Sequence, residues 1–285
     1  MYRTRPNGGA AHGSGGRCDR SGGRGWPRGL QHSGLRYARP VRVLVHADDL
    51  GMSTTVDDAI VAALATGVVD STSVLATGPS FRDAMDRLPS GVDLGVHLDL
   101  TGFPSLTGAP ALVRLHEAPA GELPGRLARV TRSHPEIILS EWHAQVAAVS
   151  RHRRPTHLDS HHHTHWNPVL WPLLRTLLRE TGIRGVRGVG AWRPEASGPR
   201  RLAQALRAAR FRRAFSEFVT TAAFANATTF RSQLAAGLDV VSVEVMAHPG
   251  NTAHAHYIEE MDWLAGGWAG RRERIIRSTW VGLGA

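Results

Sequence analysis

Residues 156–168 read THLDSHHHTHWNP, and this stretch constrains the fold more than any other part of the chain. Five histidines, His157, His161, His162, His163 and His165, fall within nine residues, with Asp159 among them. Imidazole is the commonest side-chain ligand for a borderline divalent ion. Apolar and turn-forming residues frame the tract and no monotonous repeat runs through it, unlike a tag-like metal-binding run. A catalytic ion needs about three protein ligands and an open position. Similar His- and Asp-bearing segments also occur elsewhere in the chain.

Three other segments carry such residues, each behind an expected strand. Residues 41–45 (VRVLV) are almost wholly apolar and mostly β-branched, the pattern of a buried parallel strand. They run into His46-Ala47-Asp48-Asp49-Leu50-Gly51. Two carboxylates at a strand's carboxyl end lie where α/β folds put their chemistry; an ordinary Asp-Gly turn would use the same residues. Residues 93–98 (DLGVHL) form a further strand with His97 near its end, and 239–246 (DVVSVEVM) empty into Ala247-His248-Pro249-Gly250. The tract itself opens with a strand over 156–160, which turns His157, Asp159 and His161 to one face.

Helical segments alternate with these strands. Ser53 caps a helix over 54–66, in which Val56, Ile60 and Leu64 share a face and which Gly67 ends. A strand over 72–76, a helix over 80–88 and a helix over 140–151 follow. Asn167-Pro168 opens a helix to about residue 180, before a Gly-rich strand over 183–189. Residues 199–211 read as an Arg- and Ala-rich amphipathic helix, 229–236 as a helix, and the chain from 257 as helical; 215–227 suit helix or strand. Residues 101–135 are rich in Gly and Pro and are expected to be a long substrate-facing loop. The alternation predicts one α/β domain over 41–285, (β/α) barrel-like with a mostly parallel sheet. Asp48, Asp49, His97, the 157–165 tract and His248 then gather at one end of the strands.

Composition narrows the function. The net charge is +10, yet all 34 basic residues are arginine. Lysine contacts phosphate well, so its complete absence points to coding bias rather than to a nucleic-acid partner. Residues 1–40 hold eight arginines against one acid, Asp19, and few aliphatic side chains, and are expected to be a disordered tail. No apolar run suits a secretory signal or a membrane span, and the single Cys18 allows no intrachain disulfide. A cytoplasmic protein with no membrane partner is the expectation. GxSxG, Walker and GxGxxG motifs are absent, so neither a serine acyl-enzyme nor a nucleotide cofactor is indicated.

The segments HADDLGMS (46–53), GVHLDLT (95–101), PTHLDSHHHTH (155–165) and VEVMAHPG (243–250), in that order, resemble the YdjC-like carbohydrate deacetylase family, which includes the chitooligosaccharide deacetylases. The resemblance implies a barrel-like, metal-dependent hydrolase that removes N-acetyl groups from amino sugars or chitooligosaccharides. By motif, Asp49, His97 and His161 match the metal ligands, Asp48 the general base and His248 the general acid. One divalent ion is implied: magnesium by resemblance, while two imidazoles and a carboxylate suit zinc on softness. The partner is then a small acetylated sugar; oligomeric state stays open, a homodimer included. Trp166 is a candidate sugar platform, and Asp159 a candidate orienter of a histidine. The chain departs from the family at His46, where Asn is usual, at Leu50, where Phe is usual, and in a final strand that reads as weak or absent. A phosphoesterase on a similar barrel, or a non-catalytic sugar- or metal-binding paralogue, are the alternatives.

Overall fold

The computed structural model describes residues 40–116, 121–189, 198–236, 238, 240–266 and 275–284. The tail expected over 1–40 lies outside these, except for Arg-Pro's last residue, Pro40.

The chain alternates strand and helix through its first half: β1 (Val41–Leu50), α1 (Thr54–Ala65), β2 (Ser71–Val74), α2 (Phe81–Arg87) and β3 (Asp93–Leu98). Next come α3 (Pro110–His116), α4 (Leu123–Ser133), α5 (Pro135–Ser150), β4 (His157–Ser160), α6 (Trp171–Thr181) and β5 (Gly185–Val186). The last part holds α7 (Gly198–Ala214), β6 (Ala223–Asn226), α8 (Ala227–Ala236), β7 (Ser242–Ala247), α9 (Tyr257–Ala265), β8 (Ile275–Arg277) and α10 (Trp280–Leu283). The strands form one curled parallel sheet, a half-barrel in the order β5-β4-β3-β2-β1-β7-β6, with β8 beside the start of β1. The barrel-like α/β expectation holds.

β1 sits at the centre because it is buried along its length, Arg42 excepted. It pairs with β7 through residues 42–47 and with β2 through residues 46–50. The segment after α7 touches both outer strands. The Val219 carbonyl accepts the Val186 N–H, and four residues on, β6 joins β7. The sheet thus curls far enough for one short segment to reach both edges, which draws the strand ends toward a common centre.

Local chemistry sets the element ends. The Ser53 hydroxyl accepts the Val56 N–H at the start of α1. Gly182 ends α6 in the left-handed conformation, at φ 69°. The 101–135 region is not a long loop: α3 and α4 occupy it. Leu112, Leu115 and Leu127 are buried there, and Pro and Gly within these short helices hide the periodicity. A short final strand is present, since β8 pairs Val41–Val43 and Arg277 reaches Asp70 at 2.8 Å.

Candidate metal centre

Adjacent residues on a regular strand point to opposite faces, so Asp48 and Asp49 would not normally serve one site. β1 escapes this rule through a bulge. Ala47 pairs with Thr72 but Leu50 pairs with Val74, so three steps on β1 match two on β2. Asp49 takes φ 73°, a left-handed conformation that costs a non-glycine residue roughly 1–2 kcal/mol. The strained turn lets both carboxylates face inward.

Asp49 meets the two predicted histidines. Its Oδ1 lies 3.0 Å from His161 Nδ1 and 3.4 Å from His97 Nε2. One ligand atom from each of the three residues lies within 4.8 Å of the others. Asn251 Nδ2 donates to the second Asp49 oxygen at 3.1 Å. Both imidazoles are held from behind. His97 Nδ1 faces Asp159 Oδ1 at 2.9 Å and Ser73 Oγ at 3.0 Å, leaving Nε2 for Asp49. This is the carboxylate–histidine pattern that fixes metal-ligand tautomers, and it bears the role expected of Asp159. His161 is backed by Gly102, where an added Cβ would stand 2.6 Å from the ring. Asp99 holds that turn by accepting the N–H groups of Thr101, Gly102 and Phe103.

Asp48 pairs with Arg187. Nη1 and Nη2 donate to its two oxygens at 2.7 and 2.6 Å. Arg187 is fully buried, and it also reaches Asp159 at 2.9 Å and Glu244 at 2.7 Å. Burial pushes Asp48 up, but the guanidinium outweighs it and brings the carboxyl down to about 2. His248 Nε2 approaches Asp48 Oδ2 at 3.9 Å. The far side of His248 is held by Glu260, which accepts its backbone N–H at 2.8 Å and faces Nδ1 at 3.1 Å. Burial pulls His248 down, while Glu260 and Asp48 pull harder and leave it above the usual histidine value.

The other histidines of the tract part ways. His157 stacks on Trp280 at 4.9 Å, and His165 packs against Ser160. His162 faces Thr101 at 2.9 Å, and His163 lies on Trp166. Burial lowers the His163 pKa to about 3. His46 is fully buried between Ser71 and Ser73 and lies 3.5 Å from both Asp48 and Asp159.

Sequence reasoning missed Arg187, Glu260, Ser73 and Asn251. A signal existed for Arg187, a charged residue in Gly-Val-Arg-Gly-Val, and for its partner Glu244, in the apolar run Val-Glu-Val of β7: each predicts a buried partner. Among 34 arginines that signal drowns.

The donor set fits a divalent ion. It combines one carboxylate and two imidazoles, buried or nearly so, with spacings close to those of neighbouring ligand atoms around an ion bound at about 2.1 Å. Fold and site together define a parallel α/β half-barrel with an Asp-His-His centre at the carboxyl ends of its strands. The chain belongs to the YdjC-like protein family, whose sequence profile matches residues 42–272. It is 35% identical over 171 residues to a carbohydrate deacetylase of Halalkalibacterium halodurans, covering 53% of this chain and 69% of that one. It is 32% identical to a chitooligosaccharide deacetylase of Serratia marcescens and 34% to one of Escherichia fergusonii. Each of those two matches covers 50% of this chain and 57% of the relative, so the chain spans little more than half of their length. In fold it is similar to an Enterococcus faecalis crystal structure described as a candidate cellobiose-phosphate cleavage protein. There the TM-score is 0.67 at 20% identity, over 86% of this chain and 99% of that one. Among the described residues, no helix is long and apolar enough to cross a membrane.

Proposed function

We propose that the protein is a metal-dependent hydrolase that removes N-acetyl groups from amino sugars or chitooligosaccharides. The observation that carries the reading is the convergence of Asp49, His97 and His161 on one point, with Asp48 and His248 on the flank. The names of the relatives supply the substrate class.

Asp49, His97 and His161 would hold the ion. When bound, it lowers the pKa of water toward 7 and polarises the acetamide oxygen. Asp48 takes the proton of the attacking water. At a pKa of about 2 it is ionised at any working pH but has given up roughly 2 kcal/mol of proton affinity relative to an ordinary aspartate. A weak base suits a water already made acidic, which ties its role to the centre beside it. Arg187 keeps its orientation. His248, protonated and held by Glu260, delivers a proton to the departing amine as acetate leaves.

A phosphoesterase reading fits the charges less well. Arg187 is already shared by three carboxylates, so it offers no cation to a phosphate. The test is acetate release from N,N′-diacetylchitobiose by metal-free protein reconstituted separately with zinc and with magnesium, beside a panel of phosphate esters. Metal-dependent acetate release with inert phosphate esters is the expected result. Phosphate release alone, or a bound ion with no acetate from any acetylated amino sugar, sinks the proposal.

A further inference from the structure

Of the five histidines of the tract, His163 is the one with neither a place in the ion site nor a ring hydrogen bond. Its ring lies on the Trp166 indole, with centroids 4.5 Å apart and planes 8° from parallel. Phe224 packs edge-on to it at 5.4 Å. The Arg187 guanidinium stands over that same Phe224 ring at 5.0 Å, which puts the stack next to the Asp48–Arg187 pair. The backbone is left-handed at both His162 (φ 53°) and His163 (φ 52°), a conformation that two successive L residues hold only where the surroundings impose it.

The polar atoms of this ring are uncommitted. Nδ1 is shut off from solvent and has no partner, while the residue as a whole is half-buried and Nε2 is not among the sealed polar atoms. A buried N–H without an acceptor is rarer than a buried lone pair without a donor, which assigns the ring proton to Nε2 at the tip. The protein thus holds a donor in the aromatic cluster that adjoins Arg187, the partner of Asp48, without giving it an internal acceptor.

We propose that His163 is a substrate-binding residue whose Nε2–H donates to an oxygen of the amino sugar, with Trp166 and Phe224 clamping the ring. Trp166 then acts by backing His163 with one face. The inference rests on the deacetylase reading only for the identity of the sugar.

The test measures binding apart from turnover. Calorimetry of N,N′-diacetylchitobiose compares the full chain with His163→Phe and His163→Gln. Phe keeps the stack and loses the donor; Gln loses the stack but carries an amide to the Nε2 position. Loss of one hydrogen bond predicts binding about tenfold weaker for His163→Phe, and near-normal binding for His163→Gln. Equal affinity of His163→Phe and the unmodified protein overturns the proposal, as does a loss confined to His163→Gln, which would mean a packing role. Should His163→Phe fail to fold, His163→Ala against His163→Gln makes the same donor comparison without the stack. Acetate release is scored separately. Binding without acetate release removes the deacetylase reading and leaves His163 in place; acetate release with unchanged His163→Phe binding removes His163 alone.

Discussion

Arg187 and Asp48 share two hydrogen bonds, of 2.6 and 2.7 Å, with both side chains buried. Asp48 lies on the central strand β1 and Arg187 directly follows the edge strand β5, 139 residues on. Two more carboxylates, Asp159 and Glu244, lean on the same guanidinium. Removing it leaves three buried acids without their cation. Arg187→Met should therefore cost about 3–5 kcal/mol of stability, read from the urea midpoint. The pair's contribution is present above the ordinary aspartate pKa and disappears as pH falls toward about 2. A variant as stable as the parent at pH 7 would contradict this account.

Asp48→Asn keeps the shape of the pair but removes the proton acceptor. Acetate release should fall about 10²- to 10⁴-fold, with metal content unchanged. Near-normal turnover would take Asp48 out of the chemistry.

His248 is faced by Glu260, Asp48, Asp49 and His254, the last stacked on it at 3.6 Å. Its active form is protonated and its pKa is raised above the usual value, so kcat/KM should be lost as pH rises through that raised pKa. Glu260→Gln keeps an acceptor for the His248 N–H but deletes the charge. The alkaline limb should then move roughly one unit toward acid. An unmoved limb would mean that Glu260 does not act through His248.

Gly102→Ala tests the backing of a ligand. Its Cβ would stand 2.6 Å from the His161 ring, so the imidazole must shift. Metal affinity should drop by about ten- to a hundredfold, measured by competition with a chelator, while the fold melts near its original temperature. Unchanged affinity would show that His161 has room to spare or lies outside the centre.

The order of the elements was legible because strands buried on both faces read as apolar runs, and Ser53 and Gly182 mark helix ends by their own chemistry. Helices α3 and α4 were not, since each is short and carries Pro or Gly, and only burial of Leu112, Leu115 and Leu127 reveals them. In the site, Asp49, His97 and His161 stood out by motif. Arg187 and Glu260 did not: each is a common charged residue whose meaning comes from partners 139 and 12 residues away.

By itself, the amino-acid order determined a parallel α/β chain that carries Asp and His at the ends of its strands, because strand burial and side-chain type are local properties. Tertiary structure alone decided where the four clustered histidines other than His161 go and which carboxylates Arg187 neutralises. A one-residue bulge in β1 and the curl of the sheet set those partnerships, and both depend on pairing between strands far apart in the chain.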